Sequence, residues 1–323
     1  MSSHAVQAAD LDAVRTVAAD VHRAIATVIE GKEDALATAV TVLLAEGHLL
    51  LEDVPGVGKT MLAKAMAKAI DCRVSRVQFT PDLLPSDITG VSVFNQDSRT
   101  FEFRHGAVFA NVVVGDEINR ASPKTQSALL EAMEERQVTV DGESHQLPRP
   151  FLVMATQNPI EMEGTYPLPE AQRDRFMARI SLGYPSPEAE LEMLTSHGER
   201  DPLAALQPVT TGVQVQEQIE AIRSLHTSPA LRRYIVDLVT ATRRHQLLRL
   251  GASPRAALHL LRASRAHAAL AGRDHVLPED VQWLAGPVLT HRVIPTGEAQ
   301  LARTSTAEIV AEVVQRTPVP AAR

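Results

Sequence analysis

The sequence predicts an α/β core built on a parallel sheet, followed by an all-α domain. Three observations carry that expectation. Short apolar runs alternate with amphipathic helical stretches through about residue 186. The strand signal fades after Tyr184-Pro185-Ser186-Pro187, and helical patterns fill the remainder. The chain has 323 residues, enough for two domains at roughly 150 residues each. The expected domains are therefore 1–186 and 187–323.

The elements follow in chain order. Leu11, Val14, Ala18, Val21, Ile25 and Val28 share one helical face within residues 11–30, and a second helix is expected over 33–45. The apolar run from His48 to Val54 stops at Pro55-Gly56 and reads as a buried strand. A helical pattern resumes over Lys59–Ile70. Further strands are expected at Val74–Phe79, Val112–Val114 and Phe151–Ala155, with a helix at Pro123–Glu135 between them. Two segments read as β-hairpins. Val91–Phe103 alternates around Asn95-Gln96-Asp97-Ser98, and Val138–Leu147 turns at Asp141-Gly142. Helices are expected at 187–197, 213–225, 229–248, 254–271, 278–289 and 304–315, several opened by Ser or Pro. Almost no strand is expected among them.

Composition narrows the possible functions. Lys and Arg total 32 against 39 Asp and Glu, a net charge of −7, which disfavours nucleic acid as the main partner. Aromatic residues make up only 3%, so stacking platforms for single strands are scarce. The single cysteine, Cys72, permits no intrachain disulfide and no cysteine-based zinc site. The first residues lack the basic and apolar regions of a leader, and no apolar stretch approaches a membrane span. A cytoplasmic location is expected. The 12 histidines are scattered and form no metal-ligand spacing.

The strongest motif is Pro55-Gly56-Val57-Gly58-Lys59-Thr60, continuing to Met61, between a strand and a helix. Glycines there let backbone amides approach phosphate, and the helix N-terminus complements its charge. Lys59 is placed to reach β- and γ-phosphates, and the Thr60 hydroxyl to ligate Mg²⁺. The usual pattern has glycine five residues before Gly58, where this chain has Asp53. About 50 residues later a strand ends in Asp116-Glu117. At this spacing Asp116 is expected to hold Mg²⁺, and Glu117 to orient or deprotonate the attacking water. A third strand ends in Thr156-Gln157-Asn158-Pro159, whose amide could hold that water or the γ-phosphate. Asp174-Arg175-Phe176 and Ser253-Pro254-Arg255 complete the set.

In that order these motifs resemble an AAA+ ATPase, a P-loop NTPase core with a C-terminal helical lid. The longer wording resembles the MoxR family: LLLEDVPGVGKTMLAKA, QFTPDLLPSDITG, GDEINRASPKTQSALLEAMEE, MATQNPIEMEGTYPLPEAQRDRF and GASPRA. The resemblance runs from about residue 25 to about 295. It implies ATP hydrolysis with Mg²⁺ and a homo-oligomer, usually a hexameric ring, with nucleotide between core and lid. It makes Asn158 sensor 1, Arg175 the arginine finger offered to a neighbouring subunit, and Arg255 sensor 2 touching the γ-phosphate. Arg173, where the family usually has an apolar residue, and Arg179 are rivals for the finger. The resemblance also implies a von Willebrand factor A domain partner and chaperone-like maturation of a client, with the two hairpins facing a pore or that client. A magnesium-chelatase-like motor subunit and a nucleic-acid-linked motor are the alternatives. The family's Gly-Pro after the first hairpin is replaced by His105-Gly106-Ala107.

Overall fold

The computed structural model describes residues 8–54, 56–158, 166–187, 190–191 and 201–320. Two helices, α1 (Ala8–Ala26) and α2 (Glu33–Leu44), precede the first strand, β1 (Leu49–Glu52). Helix α3 (Lys59–Ala69), β2 (Val74–Gln78) and a short α4 (Pro85–Thr89) follow. A hairpin, β3 (Gly90–Asn95) and β4 (Thr100–His105), leads to β5 (Val112–Asp116) and α5 (Pro123–Glu135). A second hairpin, β6 (Gln137–Val140) and β7 (Glu143–Gln146), precedes β8 (Leu152–Gln157), α6 (Glu170–Arg173) and β9 (Ala178–Ile180).

Five strands form one sheet in the order β2-β5-β8-β1-β9. Every pairing within it is parallel. The strands alternate between two apolar layers, as a pleated backbone requires. Leu49, Leu51, Val112, Val114, Leu152 and Met154 join one buried cluster with α1, α2 and α3. Leu50, Val113, Val153 and Ala155 face the other, with Phe79, Leu129 and Met133. Inner strand β5 is buried along its whole length, and this is why its apolar run is unbroken.

Both hairpins form where the sequence places them. Asp141 (φ +52°) and Gly142 (φ +84°) supply the two left-handed residues that a two-residue hairpin turn demands. Asn95 Oδ1 accepts from the Asp97 amide at 2.9 Å and closes the other turn. The hairpins touch through Phe103 and His145, whose rings stack with centroids 3.9 Å apart. Phe94 and Phe101 pair edge to face at 5.3 Å near the first hairpin's tip, and both are exposed. In His105-Gly106-Ala107 the glycine is obligatory: a Cβ on Gly106 would lie 2.3 Å from the Gly90 nitrogen and the Ile88 carbonyl oxygen.

The second half is helical: α7 (Pro202–Ala205), α8 (Gly212–Arg223), α9 (Pro229–Arg244), α10 (Pro254–Leu270), α11 (Pro278–Leu289), α12 (Gly297–Leu301) and α13 (Thr306–Arg316). Side chains of Thr211, Ser228, Ser253 and Ser305 cap the helices they precede. The helix expected over 187–197 falls largely outside the described residues. One expectation is corrected. The helix drawn to Leu248 stops at Arg244, and Leu248–Leu250 (β10) pairs antiparallel with Ile294–Pro295 (β11). Among the described residues no helix is long and apolar enough to cross a membrane.

Helices and sheet meet over a polar seam. Arg292, 5% exposed, donates to the Asp174 carboxylate at 2.8 Å and to the Met177 carbonyl at 3.0 Å. His291 Nε2 donates to the Phe176 carbonyl at 3.1 Å. His48 Nδ1 accepts from the Val153 amide at 3.0 Å, so its other nitrogen donates to the Met133 carbonyl. Burial pushes His48 down to about 3. Burial, with Arg292 beside it, pushes His259 down to about 2. Both rings stay neutral in the fold, whereas in the unfolded chain they take up protons near pH 6.5. Stability is therefore fully present above that pH and falls as pH drops toward 3. At pH 5 each ring should cost up to about 2 kcal/mol relative to pH 7.5. Urea midpoints at the two pH values, with proton uptake on unfolding measured alongside, check this; an unchanged midpoint would contradict it.

Candidate active site

The loop between β1 and α3 is open and left-handed at its glycines. Gly56 and Gly58 have φ of +87° and +92°, and Gly58 caps α3. Space around Gly56 is empty to 4 Å where a Cβ would stand. Lys59 Nζ donates to the Asp53 carbonyl at 2.7 Å, so its charge lies over the loop. Side chains of Val57 and Met61 pack against the larger apolar cluster, leaving their backbone as what they offer a ligand. Pro55 lies outside the described residues.

Asp53 has a structural task where the motif ordinarily has glycine. Its buried carboxylate accepts from Ser181 Oγ at 2.9 Å, from the Gly183 amide at 3.1 Å and from the Leu182 amide. It fastens the start of the loop to the segment leaving β9.

The two carboxylates stand beside this loop at the end of β5. Asp116, 6% exposed, receives the Thr60 hydroxyl at 3.2 and 3.4 Å from its two oxygens. These are oxygen donors close enough to share one small hard cation, and they leave its remaining positions to phosphate and water. The pair therefore fits Mg²⁺. Thr156 Oγ1 also donates to Asp116, at 3.3 Å, and accepts the Glu117 amide at 2.9 Å. Glu117 itself is left-handed, φ +57°, which turns its side chain out of the strand. Asn158 is buried directly after β8, at the same end of the sheet.

Sequence reasoning missed the residues that occupy these carboxylates. Arg76 Nε donates to Asp116 at 2.7 Å. Gln78 Nε2 and Arg120 Nη1 each donate to Glu117 Oε2 at 2.9 Å. Arg76 and Gln78 are two apart on β2, so the pleat sends both to one face and each meets one acid. Their period-two spacing on the strand beside Asp116-Glu117 was the available signal.

Arg175 and Arg255 lie elsewhere. Arg175 precedes β9, and Arg255 opens α10. Their shared partner is Glu134, at the C-terminal end of α5: Arg175 Nε lies 3.1 Å from one oxygen and Arg255 pairs with the other. Register puts this group at the opposite end of the sheet from the loop. Leu49, where β1 begins, pairs with Ala178, three residues after Arg175, whereas the loop follows Glu52, where β1 ends. The four residues of β1 span roughly 13 Å, beyond an arginine's reach. Within one copy Arg255 therefore stands beside Glu134 rather than beside the loop. Arg179 is occupied within the chain, ion-paired with Glu52 and 3.3 Å from the Thr290 hydroxyl. Arg173 ends α6, and its buried Nε has no partner among the described residues.

The family described as ATPase family associated with various cellular activities (AAA) matches residues 48–178. The AAA lid domain matches residues 240–313. The chain is 48% identical to the uncharacterised YeaC of Bacillus subtilis (strain 168), over 92% of each chain. It is 44% identical to Chaperone MoxR1 of Mycobacterium tuberculosis, over 94% of this chain and 84% of that protein. It is 33% identical to Protein MoxR of Paracoccus denitrificans, over 94% and 96%. A solved structure, described as a candidate ATPase from Cytophaga hutchinsonii, superposes with a TM-score of 0.89 at 39% identity, covering 97% of this chain and 98% of that one. The chain belongs to the MoxR family of AAA+ ATPases.

Asp53→Gly tests the loop's anchor. It restores the usual motif residue yet strips partners from the buried amide of Leu182 and from Gly183. It should destabilise the protein by about 2 kcal/mol. Urea unfolding measures this; a variant as stable as wild type would remove the anchoring role.

Proposed function

We propose that the protein hydrolyses ATP at the loop between β1 and α3, and does so only between adjoining copies. The observation that carries this reading is the division of the sheet. Thr60, Asp116, Glu117 and Asn158 gather at one end, whereas Arg175 and Arg255 gather at the other. A ring, with the hexamer as its expected size, brings the two ends of different copies together.

Each residue then has a task. Lys59 carries positive charge to the β- and γ-phosphates. Thr60 and Asp116 would hold Mg²⁺, which would supply neutralising positive charge at this end of the sheet. Glu117 accepts the proton of the attacking water once Gln78 and Arg120 release it, and Asn158 holds that water in line. Arg175 stabilises charge developing on the neighbour's γ-phosphoryl oxygens, and Arg255 reads the same group. The helices from about residue 187 form the lid. The kinship to Chaperone MoxR1 supports chaperone-like remodelling of a client, with the exposed Phe94 and Phe101 hairpin as the contacting element. A von Willebrand factor A domain partner and a cytoplasmic place belong to this reading.

Two measurements test it. Glu117→Gln should bind ATP with near-normal affinity and turn over roughly 10²–10⁴-fold more slowly, because the amide keeps the shape without the base. Wild-type turnover would move the base elsewhere. In addition, Arg175→Ala and Lys59→Ala should each be inactive alone. Mixed, they create junctions where an intact Lys59 meets an intact Arg175, and part of the activity should return. No recovery despite proven subunit mixing would rule out action in trans.

A further inference from the structure

We propose that Glu134 is a latch on subunit association: in the free chain it occupies the position that a neighbour's γ-phosphate takes in the assembly. The proposal rests on the trans role of Arg175 and Arg255 and adds its regulation.

The argument begins with charge. Glu134 is the second-last residue of α5, where a carboxylate faces the negative end of the helix dipole. It needs cations there, and it has two. Arg175 and Arg255 each take one of its oxygens, and they come from different parts of the molecule, a core loop and a lid helix. Two guanidinium groups held that close repel each other unless an anion lies between them.

Other acids nearby are committed. Asp174 is held by Arg292 at 2.8 Å and by Ser253 at 2.7 Å, and stands 3.8 Å from Arg255. The carboxylate of Glu46 is used by Arg136 and Arg223. A cavity of about 300 Å³ opens beside Glu134, lined by Arg136 and Arg262 as well as the paired arginines. Cations outnumber acids around it, so the place is built for more negative charge than Glu134 supplies.

The contact is also exchangeable. Side-chain exposure is 36% for Glu134, 31% for Arg175 and 34% for Arg255. Solvent and a docking surface both reach the triad. A γ-phosphate offers three oxygens and up to two charges to a guanidinium pair, more than one carboxylate can. ADP has no γ-phosphate, so in that state the arginines stay on Glu134. ATP-dependent association must break the latch, whereas association with ADP leaves it intact.

The test measures association rather than turnover. Sedimentation of the full chain with Mg²⁺ and either a non-hydrolysable ATP analogue or ADP gives a subunit dissociation constant for each state. Glu134→Gln keeps the shape and removes the charge. It should tighten association with the analogue by about two- to fivefold, the size of an ion pair of this exposure. With ADP the constant should stay at the wild-type value. Glu134→Ala should shift the same way, and circular dichroism checks that both variants fold. Weaker or unchanged association with the analogue, or equal tightening with both nucleotides, overturns the latch. Arg175→Ala separates this from the underlying reading. If it associates with the analogue as wild type does, the trans role itself fails; if it associates more weakly while Glu134→Gln shows no tightening, only the latch fails.

Discussion

Parallel pairing of all five sheet strands is the constraint on which the rest depends. A parallel sheet has two chemically unlike ends. At one, chains leave strands into loops and helix N-termini, and backbone amides accumulate. At the other, chains arrive from helix C-termini, where carbonyls and cationic side chains accumulate. Gly56, Gly58, Thr60, Asp116 and Asn158 lie at the first end. Glu134, Arg136, Arg175 and Arg255 lie at the second. No side-chain rotation can bring the two sets together within one copy, because the strands themselves stand between them.

The helical half has its place because of a few buried polar contacts. Arg292 inserts into the loop before β9 and satisfies carbonyls that a strand start would otherwise leave bare. Glu46, left-handed at φ +54°, gathers Arg136 from the end of α5 and Arg223 from the end of α8. Arg262 on α10 donates to the carbonyls of Ala45 and Glu46. These bonds hold α10 at the end of the sheet where β1 begins, and Arg255 on its first turn goes there with it. The location of the lid arginine is thus a consequence of seam chemistry rather than of its own motif.

Much of this was legible in the chain. Apolar runs of three to five residues marked β1, β5 and β8, since strands buried on both faces need no polar alternation. Asp141-Gly142 announced a hairpin because few other dipeptides accept two left-handed residues. The glycine-rich loop before α3 and the Asp116-Glu117 strand end stood out because their patterns are local in sequence. What could not be read was tertiary. Arg76 and Gln78 look like surface residues of an edge strand until β2 is laid beside β5. Asp53 looks like a tolerated departure until the segment after β9 returns to it. Glu134 looks like a solvated helix end until Arg175 and Arg255 arrive from 41 and 121 residues away. The β10–β11 ribbon is too short and too separated in sequence for its alternation to register.

Helix α5 has a mechanical consequence. It begins six residues after Glu117, ends one residue past Glu134, and runs at once into the second hairpin, which stacks on the first through His145 and Phe103. Its 13 residues make a rod roughly 20 Å long. Rods of packed α-helix tilt or slide more readily than they bend. A displacement at Glu117 therefore arrives at the arginine pair and at both hairpins in the same stroke, and a load applied to the hairpins returns along the same shaft to that carboxylate.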